Sequence, residues 1–129
     1  MKDMTDFERE VLNKVLDGDR PVLAALRKQV ESARLLSREY TGVGFFADFA
    51  LPPNTARVTS PDFTITDVSA SVAGLRYGVG FVLFVRGGLI CDLEGFTIGE
   101  EQWPDPIGDY KLQYSSNPRD LDSLGILEV

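Results

Sequence analysis

Apolar side chains in the first third of the chain recur every three or four residues, which is the spacing of an amphipathic α-helix. Thr5 precedes Glu8 by three residues, as in a capping box, where each side chain bonds an amide that the helix start leaves free. Gly18 suits the end of this helix, and Pro21 suits the first turn of a second one. The pattern predicts helices over about 5–17 and 20–36, with mixed charge on their solvent sides.

Beyond residue 41 the apolar period changes to two, which is typical of β-strands. A change of phase near Thr66-Asp67 predicts a bulge or kink within one long strand. Val79 to Arg86 is a continuous apolar strand. After it, Gly87-Gly88 predicts a two-residue hairpin turn that leads into a return strand, Leu89 to Thr97.

Two helices followed by about five strands, mostly linked as hairpins, predict an α+β fold. We expect the two N-terminal helices to pack on one face of a mostly antiparallel sheet at about 42–115, whose last edge strand is centred on Leu112. The tail at 116–129 is weakly patterned. The chain has 129 residues and no internal repeat, so we expect a single domain over 1–129.

The chain carries 13 Lys and Arg residues against 20 Asp and Glu residues, a formal net charge of −7, and it has one cysteine and no histidine. The missing histidine excludes Ser-His-Asp and Cys-His catalysis within one chain. The single cysteine excludes a disulfide framework and a Cys/His zinc site. The charge is also local, since residues 1–90 are balanced whereas residues 91–129 hold nine acids and two cations.

An acidic balance argues against nucleic acid and against an anionic membrane as partners, because binding to either needs a basic face. No apolar leader is visible at the start, and the longest apolar run, Val79 to Val85, is too short to span a bilayer. A lone cysteine suits a reducing compartment. We therefore expect a cytoplasmic protein without a cofactor, whose partner is another protein or a second copy of the chain.

The predicted hairpin also indicates which side chains share a face of the sheet. Without a bulge, Phe84 pairs with Cys91 and Val82 pairs with Leu93, and this apolar side, with Cys91 as a small hydrophobe, is expected to meet the helices. The other side is half apolar and half acidic, so it should not stand open to water. Either the 98–109 loop and the tail cover it, or another chain does. Its predicted members are Phe81, Leu83, Val85, Ile90, Asp92 and Glu94.

Asp92 and Glu94 lie two residues apart on one predicted strand, so both project from the same face. Asp48 can join them if its strand is a neighbour in the sheet. Three carboxylates on a partly apolar face can bind Mg²⁺ or Ca²⁺, or can separate their pKa values for acid–base catalysis. The alternative is solubilising charge at the rim of a sheet. These three residues are the candidate catalytic residues, and no metal-ligand set is assigned.

The stretch from Gly95 to Pro104 is the most distinctive segment, because it holds the only tryptophan close to two acids. Tryptophan is common at protein interfaces, where its ring supplies contact area and its indole N–H supplies direction. Trp103 can therefore anchor a partner together with Glu100 and Glu101, or it can fold back as a lid on the mixed face. The predicted binding surface also contains Phe81, Leu83 and Ile90.

Several stretches of the chain, taken together, resemble a family of short bacterial proteins of unknown function. They are Tyr40 to Phe46, Gly74-Leu75 with Gly78 to Phe81, and Leu93 to Thr97 ahead of Trp103-Pro104. The likeness extends from the first helix to about Tyr114. It implies a bacterial source and a stand-alone domain, and it agrees with the order of two helices and then a sheet. It implies no activity, cofactor or catalytic residue.

These observations favour a small acidic binding domain over an enzyme. The leading hypothesis is a non-enzymatic module that uses the mixed sheet face or the 98–109 loop on a protein partner or on itself, as small acidic inhibitors of basic proteins do. The alternative is a small enzyme or a divalent-metal-binding protein that uses Asp48, Asp92 and Glu94. Carboxylates that converge in a deep pocket favour the enzyme, and carboxylates spread on a flat face favour binding.

Overall fold

The computed structural model describes residues 3–124, which form two α-helices followed by a mostly antiparallel sheet of seven strands. The α+β class is therefore confirmed, with more strands in this range than the five or so predicted. The predicted tail, 116–129, is described as far as residue 124. The elements are α1 (Asp6–Val15), α2 (Pro21–Ser32), β1 (Arg34–Tyr40), β2 (Gly44–Ala50), β3 (Phe63–Ile65), β4 (Val68–Val72), β5 (Val79–Arg86), β6 (Leu89–Thr97), β7 (Tyr110–Tyr114) and a short 3₁₀ helix (Asp122–Leu124).

The N-terminus of α1 is the predicted capping box, and it is also half of an ion pair. Thr5 Oγ1 accepts the Glu8 backbone amide at 3.1 Å, and the Thr5 amide donates to Glu8 Oε1 at 2.8 Å. Arg38 of β1 donates to the same carboxylate from Nε at 2.8 Å and from Nη2 at 2.6 Å. Glu8 is only 2% exposed, so its buried charge is compensated by the guanidinium. The cap therefore links the start of α1 to β1.

The second helix ends earlier than predicted, and the residues that follow it form a strand. α2 stops at Ser32, and Ala33 takes extended backbone angles, with φ −72° and ψ 146°. β1 pairs antiparallel with β2 through a turn in which the Thr41 amide donates to the Gly44 carbonyl at 2.9 Å. The prediction of a helix to residue 36 is wrong because pairing with β2, a tertiary interaction, outweighs the local helical pattern.

The strands lie in the order β1-β2-β6-β5-β4-β7, and β3 pairs with the end of β5 near the hairpin turn. β3 and β4 are the two halves of the long strand that the sequence predicts. Ile65 pairs with Leu83, whereas Ser69 pairs with Gly80, so the register differs by one residue between the halves. The predicted kink near Thr66-Asp67 is confirmed. This break and the unexpected β1 account for the additional strands.

The kink places Asp67 in the interior, where Arg119 neutralises it. Arg119 donates from Nε to Asp67 Oδ2 at 2.7 Å and from Nη2 to Oδ1 at 2.9 Å, and both side chains are about nine-tenths buried. The same guanidinium bonds the carbonyls of Val15 and Asp17 at 2.6 and 2.9 Å. A cation at this position complements the negative end of the α1 dipole. Arg119 therefore joins the tail, the kink and the end of α1.

One hydrophobic cluster contains the apolar sides of both helices and the alternate residues of the central strands. Burial of this apolar surface is the main favourable contribution to folding. Its fully buried members include Val11, Leu12, Leu23, Leu26, Phe81, Leu83, Ile90 and Leu93.

Gln29 of α2 is a polar residue that belongs to this interior, and its amide group is fully bonded. It is 3% exposed. Its Nε2 donates to the carbonyls of Ala56 and Gly88 at 3.0 and 2.9 Å, and its Oε1 accepts the Ile90 amide at 2.9 Å. Gly87 and Gly88 have positive φ angles of 58° and 79°, which confirms the predicted hairpin turn. Gln29 therefore attaches α2 to this turn and to the loop before β3.

Replacing Gln29 by alanine is expected to lower the free energy of unfolding by about 2 kcal/mol, because the Ala56 carbonyl and the Ile90 amide lose their side-chain partner and the Gly88 carbonyl keeps only the Val58 amide. Urea denaturation followed by circular dichroism measures the change. Lys28→Ala, at a neighbouring position of α2, is the control and should alter the free energy by less than about 0.5 kcal/mol. Equal effects of the two substitutions would contradict the role given to Gln29.

Candidate functional site

A bulge in the β5–β6 hairpin decides the side of the sheet on which each residue lies. Next to the turn, Val85 pairs with Ile90, as predicted. The register then shifts, and Phe84 pairs with Asp92, which leaves Cys91 as the extra residue of β6. A shift of one residue exchanges the two faces of a strand. Every pair beyond the bulge is therefore affected.

The bulge places the β5 residues and Ile90 on the side opposite to the predicted one, whereas Asp92, Leu93 and Glu94 keep their predicted sides. Phe81, Leu83 and Ile90 are 1%, 0% and 2% exposed and belong to the hydrophobic cluster, although they were expected on the mixed face. Val82 and Phe84, which were expected against the helices, are half-buried on the opposite side. The prediction is wrong because it assumed pairing without a bulge.

We call the half-exposed side of the sheet the outer face, and the side that belongs to the hydrophobic cluster the core face. The predicted acids do share the outer face, because β2 is the neighbour of β6. Asp48 pairs with Asp92, and Phe46 pairs with Glu94. The central part of the outer face consists of Phe46, Asp48, Val82, Phe84, Asp92, Glu94 and Phe96.

Two of these acids, Asp48 and Asp92, form a hydrogen-bonded pair across β2 and β6. Such a bond forms while one of the two carboxyls is protonated, because two carboxylates have no donor between them. Asp48 Oδ2 also accepts the hydroxyl of Ser37 at 2.8 Å. Asp92 Oδ2 accepts the thiol of Cys91 at 3.2 Å. A continuous chain of hydrogen bonds therefore runs from β1 through β2 to β6.

The surroundings separate the pKa values of the two acids. Hydrogen bonds from Asp92 and then from Ser37 lower the pKa of Asp48. Loss of solvent and then the bond to Asp48 raise the pKa of Asp92. Asp92 therefore keeps its proton to a higher pH than Asp48 does. Opposite pKa shifts in a bonded pair are what acid–base chemistry uses.

Cys91 lies at the bulge as a half-buried free thiol. Burial, followed by the hydrogen bond and the charge of Asp92, raises its pKa. A thiol that stays protonated is a poor nucleophile. The sequence predicted a hydrophobe in the apolar layer, whereas the structure places Cys91 beside Asp92 as a hydrogen-bond donor.

Two phenylalanines, Phe46 and Phe84, adjoin the acid pair and Phe96 lies further along β6; the sequence did not assign them to a site. Phe46 is 37% exposed, and Phe84 and Phe96 are half-buried. The ring of Phe96 lies over Gly80, where a Cβ atom would come within 2.6 Å of the ring. The spacing of two residues between Phe46 and Asp48 was the signal that could have placed Phe46 beside the acids.

The 98–109 loop is not a lid on the outer face. Trp103 is 9% exposed, and its ring packs edge-on against Phe45 and Phe7, with 5.1 and 6.3 Å between ring centres. Its backbone amide donates to the Gly42 carbonyl at 2.8 Å. Trp103 therefore folds back, as one of its two predicted placements required, but it folds onto the core face.

The two acids of this loop, Glu100 and Glu101, lie in the turn that follows β6 and outside the strand positions of the outer face. Glu100 is exposed and has a positive φ of 62°. Glu101 Oε1 accepts the backbone amide of Arg76 at 2.9 Å, so this carboxylate holds the turn between β4 and β5.

The described part of the tail also stays on the core side of the sheet. Arg119 bonds the end of α1, and Leu121 and Leu124 pack against the hydrophobic cluster. Within residues 3–124, the outer face is therefore covered neither by the loop nor by the tail.

No group of three or more Asp, Glu or Cys side chains in residues 3–124 is arranged to hold a metal ion. Asp48 and Asp92 bond each other, while Glu94 lies beside Phe46 further along the strand. The arrangement therefore offers a cross-strand pair of carboxyls with opposite pKa shifts, next to partly exposed aromatic side chains.

Comparison with known proteins identifies no relative, since no family model, curated protein or solved structure matches the chain. Neither helix in the described part of the chain is long and apolar enough to cross a membrane. The function must therefore be inferred from the geometry of the outer face.

The raised pKa of Asp92 predicts a pH-dependent effect of Asp92→Asn on stability. Native Asp92 binds its proton more tightly than the unfolded chain does, so this carboxyl favours folding below its unfolded pKa of about 3.9 and loses that contribution as pH rises through its native value. The amide introduced by the substitution keeps a donor for Asp48 and carries no charge. We expect the variant to gain stability relative to wild type as pH rises from about 3 to 8.

Urea denaturation at several pH values measures this difference. Glu94→Gln removes a charge from the same face and strand but leaves the Asp48–Asp92 pair intact, so it is the matched control. A constant difference between Asp92→Asn and wild type over the whole pH range would contradict the raised pKa of Asp92.

Proposed function

We propose that the protein is a non-enzymatic binding module whose outer face docks on a basic surface of a partner protein. The observation that carries this proposal is the outer face itself. Three phenylalanines are partly exposed on a side of the sheet that the loop and the described tail leave uncovered, and two of them, Phe46 and Phe84, adjoin the pair of acids.

The proposal includes the predicted two-layer arrangement, with both helices against the core face. Phe7 of α1 lies 5.8 Å from Phe81 of β5, measured between ring centres. Gln29 of α2 bonds the backbone of Gly88 and Ile90 at the hairpin. Because both helices have such contacts on the core face, the outer face is the side that remains for a partner.

The apolar part of the outer face supports docking of a protein rather than of a small molecule. Phe46 lies between Glu39 of β1 and Glu94 of β6 in the paired strands, and Phe84 lies beside Asp92. Protein interfaces are rich in aromatic side chains that are ringed by polar groups. On β2, β5 and β6, phenylalanines alternate with carboxyl groups, which resembles the composition of a protein interface.

The charge of the outer face supports a basic partner. Its central acids are Asp48, Asp92 and Glu94, with Glu39 on the adjoining edge strand. Arg34 and Lys111 lie on the two edge strands, and Arg86 places its guanidinium 5.1 Å from the ring centre of Phe84, where it offsets part of the negative charge near Asp92. Complementary charge speeds association and selects the partner.

Self-association through the same face is disfavoured by the same charges. Two copies placed face to face would bring like-charged central acids together, which costs free energy. We therefore propose a different protein as the partner. The free thiol of Cys91 suits a reducing compartment, so we propose that the interaction takes place in the cytoplasm.

Phe46→Ser is expected to weaken partner binding at least tenfold, about 1.4 kcal/mol, because it removes an exposed aromatic anchor. Affinity capture with the wild-type protein, with quantification by mass spectrometry, would identify the partner. Calorimetry with the purified partner would then measure the dissociation constant of each variant.

Tyr77→Ser is the matched control, since Tyr77 is 60% exposed and lies in the turn before β5, outside the outer face. Tyr77→Ser should change the dissociation constant for the partner by less than about twofold, which corresponds to less than about 0.5 kcal/mol. Equal weakening by both substitutions would contradict the proposal. A dimer in light scattering that Phe46→Ser dissociates would replace the basic partner by a second copy.

A small carboxylate enzyme is the second candidate, and one observation favours it. Asp48 and Asp92 are hydrogen-bonded and have opposite pKa shifts, which is an arrangement for general acid–base catalysis. The pair lies on a sheet face rather than in a deep cleft. An activity that Asp48→Asn abolishes and Phe46→Ser spares would favour this candidate over the binding module.

A further inference from the structure

A cavity of about 200 Å³ lies between the start of α1, the β1–β2 turn region and the 98–109 loop, on the core side of the sheet. The ion pair of Glu8 with Arg38 and the side chain of Asp105 supply its polar lining. Apolar walls with few polar groups are typical of a small-molecule site. The apolar lining includes Phe7, Tyr40, Phe45, Trp103, Pro104 and Ile107.

Arg38 and Trp103 each bring to the lining a hydrogen-bond donor that has no acceptor among residues 3–124. Arg38 uses Nε and Nη2 on Glu8, which leaves Nη1, and the indole Nε1 of Trp103 makes no hydrogen bond to a described residue. Every buried side-chain nitrogen or oxygen in this part of the chain does have a partner. Neither donor is therefore fully buried, and both belong to residues that line the cavity.

The charges around the cavity favour an uncharged ligand. The hydrogen bond to Glu8 raises the pKa of Arg38, so the guanidinium stays charged and opposes a cation. Asp105, together with the Glu8 carboxylate beside the guanidinium, opposes an anion. A neutral acceptor satisfies the two donors without either penalty.

We propose that this cavity binds a small, flat, uncharged molecule whose carbonyl oxygen accepts hydrogen bonds from Trp103 Nε1 and Arg38 Nη1. A volume below the range of drug-sized sites limits the ligand to about one ring with one polar substituent. The ring packs among the aromatic walls. This site is distinct from the outer face, so its test leaves the proposed protein-binding function unaffected.

Benzamide, benzoate and benzylamine are suitable probes, because they share a ring and differ in charge. Trp103 is the only tryptophan, so its indole N–H gives a single signal in a ¹H–¹⁵N spectrum of labelled protein. We expect benzamide to shift this signal saturably, with a dissociation constant of roughly 0.1–10 mM. Benzoate and benzylamine should bind at least tenfold more weakly.

Ile107→Phe adds bulk to the cavity wall and is expected to weaken benzamide binding at least tenfold. Ile98→Phe is the matched control, since it makes the same change in the same loop at a 41% exposed position that is outside the lining. The dissociation constant of Ile98→Phe for benzamide should lie within twofold of the wild-type value. If Ile107→Phe does not fold, Arg38→Lys keeps the positive charge but removes Nη1, and it should bind at least fivefold more weakly.

Three results would each overturn the proposal. They are a benzamide response that does not saturate, binding of benzoate or benzylamine as tight as that of benzamide, and unchanged benzamide binding in folded Ile107→Phe or Arg38→Lys.

Discussion

A single extra residue in β6, Cys91, fixes how the central hairpin pairs, and the rest of the sheet depends on that pairing. Beyond the bulge, Leu83 meets Leu93 on the core face and Phe84 meets Asp92 on the outer face. Removing the shift would carry carboxylates towards the interior. Because buried charges without partners are strongly unfavourable, the bulge and the burial of the core face require each other.

Three buried polar groups hold the other elements to this sheet. Gln29 attaches α2 to the hairpin turn, the Glu8–Arg38 pair attaches α1 to β1, and Arg119 attaches the tail to Asp67 and to α1. Because hydrogen bonds require a specific orientation of donor and acceptor, each of these groups fixes the position of its element more narrowly than apolar packing alone would. Removing one partner of a buried pair is costly, which makes these contacts constraints as well as supports.

The same constraints leave the outer face available. The tryptophan of the 98–109 loop packs on Phe45 and Phe7, and the described tail packs on the core side. Neither the loop nor the described tail therefore covers the outer face, although partly apolar surfaces are usually covered in folded proteins. What remains is a surface of partly exposed aromatic side chains and carboxyls, on which the proposed docking of a basic partner depends.

The sequence by itself determined the α+β class, the capping box at Thr5, the glycine hairpin turn, the kink at Thr66-Asp67, and the shared face of the three acids. These features depend on local periodicity and turn chemistry. The tertiary structure decided that residues 34–40 pair as a strand, that Cys91 is a bulge, and that Trp103 lies on the core face. A one-residue bulge and an edge strand depend on pairing between segments that are distant in the sequence. Local patterns of apolar and polar residues do not predict which of the possible pairings is the most stable.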